Sequence, residues 1–159
     1  MNTVVVGNGV IIDKANLIDS FDNVVRINWL RHLEDSKHRG KKVDIWALTG
    51  TKKNIVKGMH TFKLQTVWYF HEQLGNIDQK FIDQHRYQLN ANPTTGFLAI
   101  MMAIKTFGEC AIIGFDFFEN DKLHYWDDDR TKEQIVSGHN PKEEKSVLEN
   151  IYQNEIIIL

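Results

Sequence analysis

Short, uninterrupted apolar runs recur along this chain, and they constrain its fold more than any other feature. Runs such as Val4–Val6 and Ile156–Ile158 place no polar residue on either face, which is typical of strands covered on both sides. Strands are predicted on this basis at Thr3–Val6, Asn23–Ile27, Val43–Leu48, Thr66–Phe70, Cys110–Gly114 and Glu155–Leu159. Helical patterns alternate with them at Asn76–Leu89, Thr95–Phe107 and Pro141–Asn154. The alternation predicts an α/β fold with a mostly parallel sheet flanked by helices.

The composition narrows the class of protein. A chain of 159 residues fits one domain, here 1–159, with 19 basic and 21 acidic residues and a net charge of −2. Without a basic excess or a basic cluster we expect no nucleic-acid partner. No apolar run approaches the roughly 20 residues of a membrane span. Because the N-terminus enters a strand pattern at once, we expect no signal peptide. The single cysteine, Cys110, allows no disulfide within these residues, and a cytoplasmic location is expected.

Three loops follow predicted strands and are polar or rich in glycine: Gly7–Gly9, the residues after Ile27, and the residues after Gly114. Ligands of parallel α/β sheets bind beyond the carboxyl ends of the strands, so these loops predict a site. The first loop lacks the third glycine of the dinucleotide-binding motif G-x-G-x-x-G, and the second strand does not end in an acidic residue. Both features disfavour binding of NAD at this loop. A plain tight turn remains an alternative for this loop, whereas the amide of Asn8 could contact a base or a sugar.

Four motifs in order resemble those of sialyltransferases. VVVGNG with IDSFDNVVRIN and GKKVDIW resembles the large motif, and NPTTGFLAIMMAIKTFGECAIIGFDFF resembles the small motif. HYW at His124–Trp126 resembles the third motif, and HNPKEE at His139–Glu144 matches the very short motif, His-x-x-x-x-Glu. The Asp…Arg-x-Asn element of the large motif resembles the corresponding element of glycosyltransferase family twenty-nine. The Gly-Asn-Gly start of the large motif and the Gly-Phe-Asp-Phe-Phe end of the small motif resemble those of the bacterial enzymes of family forty-two.

The resemblance implies a Rossmann-like domain, a variant of the GT-A type, that transfers sialic acid from CMP-sialic acid to a sugar hydroxyl with inversion. It implies no cofactor and no metal. The partners would be the nucleotide-sugar donor and a glycan acceptor on a lipid or capsule. Because the chain is short, we also expect a homo-oligomer whose neighbouring subunit completes the site. Peripheral association with the inner face of the membrane is a separate expectation.

The resemblance also assigns residues. His139 would be the general base, His124 and Tyr125 would stabilise the phosphate leaving group, and Glu144 would be a positioning residue. Nucleotide-binding residues are expected in the glycine-rich loops, after the second strand and at both ends of the small motif: Gly7, Asn8, Gly9, Asn28, Thr94, Thr95, Gly96, Gly114, Phe115 and Asp116. Independently, Thr95 and Gly96 would open a helix, whose free N–H groups suit an anion.

Structural alternatives remain for several of these residues. Asn140-Pro141 followed by Glu143 is a good helix start without any function, Thr95 could be a helix N-cap, and His139 could be a surface residue. His124-Tyr125 could be loop packing.

The run Asp127–Asp129 could bind a metal, but we favour a solvated acidic loop. Trp29, Trp46 and Trp68 are expected to pack in the core or at its edge.

Three departures from the family stand out. The disulfide of family twenty-nine is absent, because Asn2 and Thr3 precede VVVGNG. The region from Thr49 to Asn90, where acceptor-binding features are expected, is compressed. The bacterial enzymes place an Arg near the small-motif head, and the nearest here is Arg86. Two alternatives to catalysis therefore stay open: a degenerate protein that binds a cytidine nucleotide without transferring sugar, and an oligomeric scaffold that keeps only the fold.

Overall fold

The computed structural model describes residues 1–30, 32–49, 64, 66–120, 124 and 131–159. Its strands are β1 (Thr3–Val6), β2 (Asn23–Ile27), β3 (Ile45–Leu48), β4 (Thr66–Tyr69), β5 (Cys110–Ile113) and β6 (Ile156–Ile158). They form a six-stranded sheet in the order β4-β3-β2-β1-β5-β6, and every pair is parallel. The predicted α/β architecture is confirmed, with a sheet that is parallel throughout these strands.

The helices are α1 (Ala15–Asp19), α2 (Ser36–Arg39), α3 (Gln79–Leu89), α4 (Thr95–Phe107), α5 (Lys132–Val136) and α6 (Pro141–Asn150), with a 3₁₀ turn at His32–Asp35. The bounds of α4 are those predicted, but its N-cap is Thr94 and not Thr95: the Thr94 hydroxyl accepts from the Phe97 N–H at 3.1 Å. The start of α6 is also as predicted, since Asn140 caps it and accepts from the Glu143 N–H at 3.3 Å, with Pro141 in first position.

Two helix bounds differ from the prediction. Helix α3 begins at Gln79 and not at Asn76, because the Asn76 side chain accepts from Tyr69 N–H and donates to Val67 C=O, both at 2.8 Å. Helix α6 ends at Asn150 and not at Asn154, because the chain must turn to reach β6, where the Glu155 carbonyl accepts from Cys110 N–H at 2.9 Å.

The central strands are covered on both faces. Alternate residues point to opposite sides, so Val5 packs with the apolar face of α4 while Val4 and Val6 pack with Ile18 of α1. Strand β6 does not fit the prediction of two covered faces: Ile157 is 51% and Ile158 64% exposed, because β6 is the edge of the sheet and pairs only with β5. Within the described residues, no helix is long and apolar enough to cross a membrane.

Candidate functional site

The first and third predicted loops lie against each other at the carboxyl edge of the sheet. Gly7 donates to the Ile113 carbonyl at 2.8 Å, and Gly9 donates to the Gly114 carbonyl at 2.9 Å. These bonds follow from the pairing of β1 with β5, whose carboxyl ends coincide. The loops after β1 and β5 therefore form one continuous surface, as the rule for parallel sheets predicts.

Glycine is required where these loops touch. A Cβ at Gly7 would lie 2.3 Å from the Gly114 carbonyl oxygen, closer than atoms can approach. The Phe115 ring would lie 3.0 Å from that Cβ and 2.8 Å from one at Gly96, so a single ring lies between the first loop and the head of α4. The Phe115 ring thus brings together two segments that lie about ninety positions apart in the sequence.

Two buried arginines support the glycine loop from below, and sequence reasoning missed both. Arg39 is 1% exposed and donates to the carbonyls of Gly9, at 2.7 Å, and of Gly7. Arg26 is 3% exposed and donates to the Arg39 carbonyl at 2.7 Å. These hydrogen bonds hold the carbonyl groups of Gly7 and Gly9 so that they point toward the buried Arg39. In the sequence, Arg26 was seen as part of the Asp…Arg-x-Asn element within a mostly apolar strand, but neither arginine was assigned a role.

The segment after β2 presents polar and aromatic groups to the same edge. Asn28 has a left-handed backbone with φ of 52°, held by its N–H bond to the Ala47 carbonyl at 2.8 Å and by Trp46 Nε1–H, which donates to the Asn28 carbonyl at 2.6 Å. Trp46 and Trp68 are buried as expected, but Trp29 is 63% exposed. The expectation of packing is wrong for Trp29, because it follows the strand end and leaves the covered sheet.

Asp116 offers a hydrogen-bond acceptor. One carboxylate oxygen, Oδ1, accepts from Phe118 N–H at 3.1 Å. The other, Oδ2, is shielded from solvent and has no hydrogen-bond partner among the described residues. The loop around it is conformationally demanding, since Gly114, Phe117 and Phe118 all have positive φ, at 72°, 51° and 60°. An unsatisfied buried oxygen in such a loop is suited to accept from a ligand hydroxyl or amino group.

The head of α4 is held from two sides. Glu144, in the first turn of α6, accepts from the Thr94 N–H at 2.6 Å and from the Thr94 hydroxyl at 2.7 Å. On the other side, the hydroxyls of Thr95 and Thr49 lie 3.1 Å apart, which links the helix to the end of β3. The first amides of α4 have no acceptor within the helix and carry the positive end of its dipole.

Glu144 is 2% exposed. Burial raises the pKa of its carboxyl to about 7, and the two hydrogen bonds from Thr94 offset part of that rise. Its contacts are those of a residue that positions Thr94, and its predicted positioning role remains a prediction.

The raised pKa of Glu144 predicts a pH-dependent stability. The carboxyl ionises near 4.5 in the unfolded chain and near 7 in the folded protein, so its contribution is complete below pH 4.5 and is lost as the pH rises toward 7. The loss amounts to about 3 kcal/mol, from about 1.4 kcal/mol for each pKa unit. Glu144→Gln resembles the protonated form, so its free energy of unfolding should match the wild type near pH 4.5 and exceed it by about 3 kcal/mol at about pH 8.

Urea unfolding at several pH values measures this difference. The exposed neighbour Glu143 provides a matched control, since Glu143→Gln should leave the pH dependence as it is in the wild type. Parallel profiles for the wild type and Glu144→Gln would show that the Glu144 carboxyl is not the group responsible.

His139 lies beside the same segment. Its Nδ1 is 2.6 Å from the carbonyl oxygen of Asn92, and its backbone N–H donates to the Val136 carbonyl at 2.9 Å. Asn92 is fixed in turn, because its N–H donates to the Gly138 carbonyl at 3.0 Å and its Oδ1 accepts from Arg86 Nε at 3.0 Å. A carbonyl can only accept, so Nδ1 carries the hydrogen and the lone pair of the neutral imidazole is on Nε2.

The remaining predicted site residues have fewer described contacts. His124 is half-buried, whereas Tyr125 and Asp127–Asp129 lie outside the described residues. Asn8 is half-buried in the loop between Gly7 and Gly9. Within the described part of the chain, no group of three or more His, Cys, Asp or Glu side chains could hold a metal ion.

Solved structures of sialyltransferases share this fold. A mammalian sialyltransferase is similar with a TM-score of 0.67 and 18% identity over 99% of this chain and 68% of its own. A mammalian sialyltransferase in complex with Gal-beta-1-3GalNAc-ortho-nitrophenol has a TM-score of 0.68 and 18% identity, over 99% of this chain and 68% of its own. The sialyltransferase CstII from Campylobacter jejuni, in complex with the substrate analogue CMP-3FNeuAc, has a TM-score of 0.50 and 18% identity over 100% of this chain and 81% of its own. The predicted Rossmann-like, GT-A-like domain is confirmed.

No curated protein sequence matches this chain. The model of glycosyltransferase family 29 does match, over residues 29–156, which is most of the 159 residues and includes the predicted base and the small-motif segment. The chain therefore belongs to glycosyltransferase family 29, the sialyltransferases.

Proposed function

We propose that this protein transfers sialic acid from CMP-sialic acid to a sugar hydroxyl of a glycan acceptor, with inversion and without a metal. The observation that carries the proposal is the 2.6 Å contact between His139 Nδ1 and the Asn92 carbonyl. In a neutral His139 this contact would leave the lone pair on Nε2, which is the arrangement that a general base needs, and the family is one of glycosyltransferases. The solved complexes of related folds, one with CMP-3FNeuAc and one with Gal-beta-1-3GalNAc-ortho-nitrophenol, support these classes of donor and acceptor.

The chemical step needs one base. Nε2 of His139 takes the proton of the acceptor hydroxyl as its oxygen attacks the anomeric carbon of sialic acid from the face opposite the phosphate. The bond from that carbon to the phosphate oxygen breaks, and CMP leaves with the electron pair. Backside attack inverts the anomeric centre, and general-base catalysis of this kind contributes typically about 10²–10⁴-fold.

The nucleotide would lie on the surface formed by the loops after β1 and β5. The amides of Asn8 and Asn28 could contact the base or ribose, and the unsatisfied Oδ2 of Asp116 could accept from a hydroxyl or amino group. The phosphate would lie at the head of α4, where the first amides and the helix dipole stabilise an anion. His124 and Tyr125 are proposed as further donors to the departing phosphate.

A transfer assay with the wild-type protein tests this function. Incubation with CMP-sialic acid and a galactose-terminated acceptor should release CMP and form a sialylated product, and calorimetry should detect CMP binding. CMP binding without product would favour the degenerate nucleotide-binding protein. Absence of CMP binding would contradict both the transferase and the nucleotide-binding protein, and only the oligomeric scaffold would remain.

Metal independence is a separate prediction. Because the leaving phosphate would be stabilised by hydrogen-bond donors, EDTA at about 5 mM should change the transfer rate by less than about twofold. The assay is repeated with added Mg²⁺ or Mn²⁺ after exhaustive chelation. A large loss with EDTA that the cation reverses would contradict the prediction and favour a metal site at Asp127–Asp129.

We also propose a cytoplasmic location with peripheral membrane association, and a homo-oligomer as the working unit. The reason for the oligomer is the compressed acceptor region between Thr49 and Asn90, which a neighbouring subunit would complete. Light scattering gives the mass of the particle, and flotation with anionic vesicles measures membrane association.

A further inference from the structure

The Thr94 hydroxyl takes part in two hydrogen bonds at the head of α4. Its oxygen accepts from the Phe97 N–H at 3.1 Å and lies 2.7 Å from Oε2 of Glu144. A hydroxyl has one hydrogen and two lone pairs, so these two contacts leave one position on the Thr94 oxygen for a further partner. Because Thr94 is half-buried and not enclosed, a ligand at the head of α4 could occupy that third position.

The protonation state of Glu144 decides what the third position offers. An ionised carboxylate can only accept, so the Thr94 hydrogen is directed to Glu144 and the third position is a lone pair. A protonated carboxyl can donate its own O–H to the Thr94 oxygen, which leaves the Thr94 hydrogen for the third position. The Thr94 N–H is compatible with both states, since it donates to the other carboxyl oxygen, Oε1, at 2.6 Å. The same hydroxyl is therefore an acceptor toward a ligand in one state and a donor in the other.

An anionic ligand selects between these two states. The oxygens of a phosphodiester can only accept, so they can bond to the Thr94 hydroxyl only when that hydroxyl donates. Protonation of Glu144 also removes a negative charge beside the bound anion, where two like charges would repel each other. A phosphate at the head of α4 therefore favours the protonated form of Glu144.

The surroundings of Glu144 allow both states near neutral pH. The carboxyl is 2% exposed, and the charged or titratable side chains of the neighbouring segments are Arg86, Glu119, His139, Glu143 and Lys145. Lys145 is paired with Glu119 at 2.8 Å, and Arg86 is paired with Glu72 at 2.9 Å. Burial raises the pKa of the Glu144 carboxyl to about 7, the bonds from Thr94 offset part of the rise, and no charged side chain of the described residues contributes. A proton can therefore be gained or lost here with little change in free energy.

We propose that binding of the nucleotide-sugar donor is coupled to the uptake of one proton by Glu144, which turns the Thr94 hydroxyl into a hydrogen-bond donor to the phosphate. The proton comes from the solvent, forms the O–H bond of the Glu144 carboxyl and returns to the solvent when the nucleotide leaves. This inference rests on the proposed function, which places the phosphate at the head of α4. Because only the protonated form offers the donor, binding should weaken as the pH rises above 7.

Calorimetry of the wild-type protein with CMP-3FNeuAc measures the coupling. The phosphate of this analogue is a diester that does not titrate near neutral pH, so any change in bound protons belongs to the protein. The binding enthalpies in HEPES and in Tris at about pH 8 give the number of protons, and we expect an uptake of about one per ligand bound. The Kd should rise about tenfold or more between about pH 6.5 and about pH 8.5.

Substitutions at both partners test the hydrogen-bond exchange. Glu144→Gln carries an N–H in place of the carboxyl O–H, so it should bind the analogue without proton uptake and with a Kd that varies less than about twofold over this pH range. The matched control Glu143→Gln, at an exposed neighbouring position, should keep the uptake of the wild type. Thr94→Ala removes the hydroxyl and should weaken binding more at the lower pH than at the higher, whereas Thr94→Ser should keep the wild-type profile.

Binding of the analogue to the wild type without proton uptake would overturn the proposal. An uptake that persists in Glu144→Gln would also overturn it, since the proton would then belong to another group. Wild-type protein that binds neither CMP nor the analogue would instead overturn the proposed function, and this inference with it.

Discussion

Replacing His139 with alanine is expected to lower kcat for sialyl transfer by about 10²–10⁴-fold and to leave the affinity for CMP within about twofold. The imidazole would be lost as a proton acceptor, because Nε2 is the atom whose lone pair the Asn92 contact leaves available. The nucleotide loops should be unaffected, since the hydrogen bonds that hold Gly7 and Gly9 come from the ends of β5 and from Arg39. Steady-state kinetics and calorimetry with CMP measure the two effects separately.

A second substitution separates base chemistry from positioning. His139→Gln can still donate an N–H to the Asn92 carbonyl but has no basic nitrogen, so it should be as inactive as the alanine variant. Transfer at the wild-type rate in either variant would show that His139 is not the base. Recovery in the glutamine variant alone would indicate that the contact with Asn92 matters and the proton transfer does not.

Gly7→Ala is expected to destabilise the fold by more than about 3 kcal/mol and to abolish CMP binding. The new methyl group would lie 2.3 Å from the Gly114 carbonyl oxygen and 2.8 Å from its carbon. Both atoms are backbone, so they cannot rotate away, and relief requires β1 to move relative to β5. That movement would break the bond from Gly7 N–H to the Ile113 carbonyl and disturb the carbonyls that Arg39 holds.

Gly108→Ala is the matched control. Gly108 ends α4 with φ of 84°, and a Cβ there would meet nothing within 4 Å. Its cost is the strain of a left-handed alanine alone, about 1–2 kcal/mol, with CMP affinity unchanged. Urea unfolding and CMP titration of both variants make the comparison, and equal destabilisation would contradict the steric role of Gly7.

The parts of the fold that the sequence predicted are those governed by local pattern. Helix α4 has thirteen residues with an apolar interior, a threonine cap directly before them and a glycine directly after them, so its bounds follow from neighbours in the chain. Asn140 and Pro141 define the start of α6 for the same reason. The convergence of the loops after β1 and β5 followed from a general rule of parallel sheets and needed no knowledge of contacts.

The rest depends on partners far away in sequence. Arg39 was unremarkable, because an arginine is usually exposed, and its burial depends on carbonyls thirty and thirty-two positions away. The contact that fixes the tautomer of His139 spans 47 positions, and the bonds of Glu144 to Thr94 span 50. No periodicity or capping pattern within one segment encodes such pairs. The exposure of Ile157 and Ile158 likewise depended on strand order, which made β6 an edge.

The placement of β1 between β2 and β5 affects how the chain can fold while it is being synthesised. Val5 pairs with Val25 on one side and with Ile112 on the other, so half of its hydrogen-bonding partners are synthesised early and half late. The hydrogen bond from Gly9 N–H to the Gly114 carbonyl cannot form until Gly114 has left the ribosome. Until then one edge of β1 is unpaired and can pair with other chains. Fragments that stop before β5 should therefore aggregate and bind no CMP, and co-expression of the missing segment should rescue both properties.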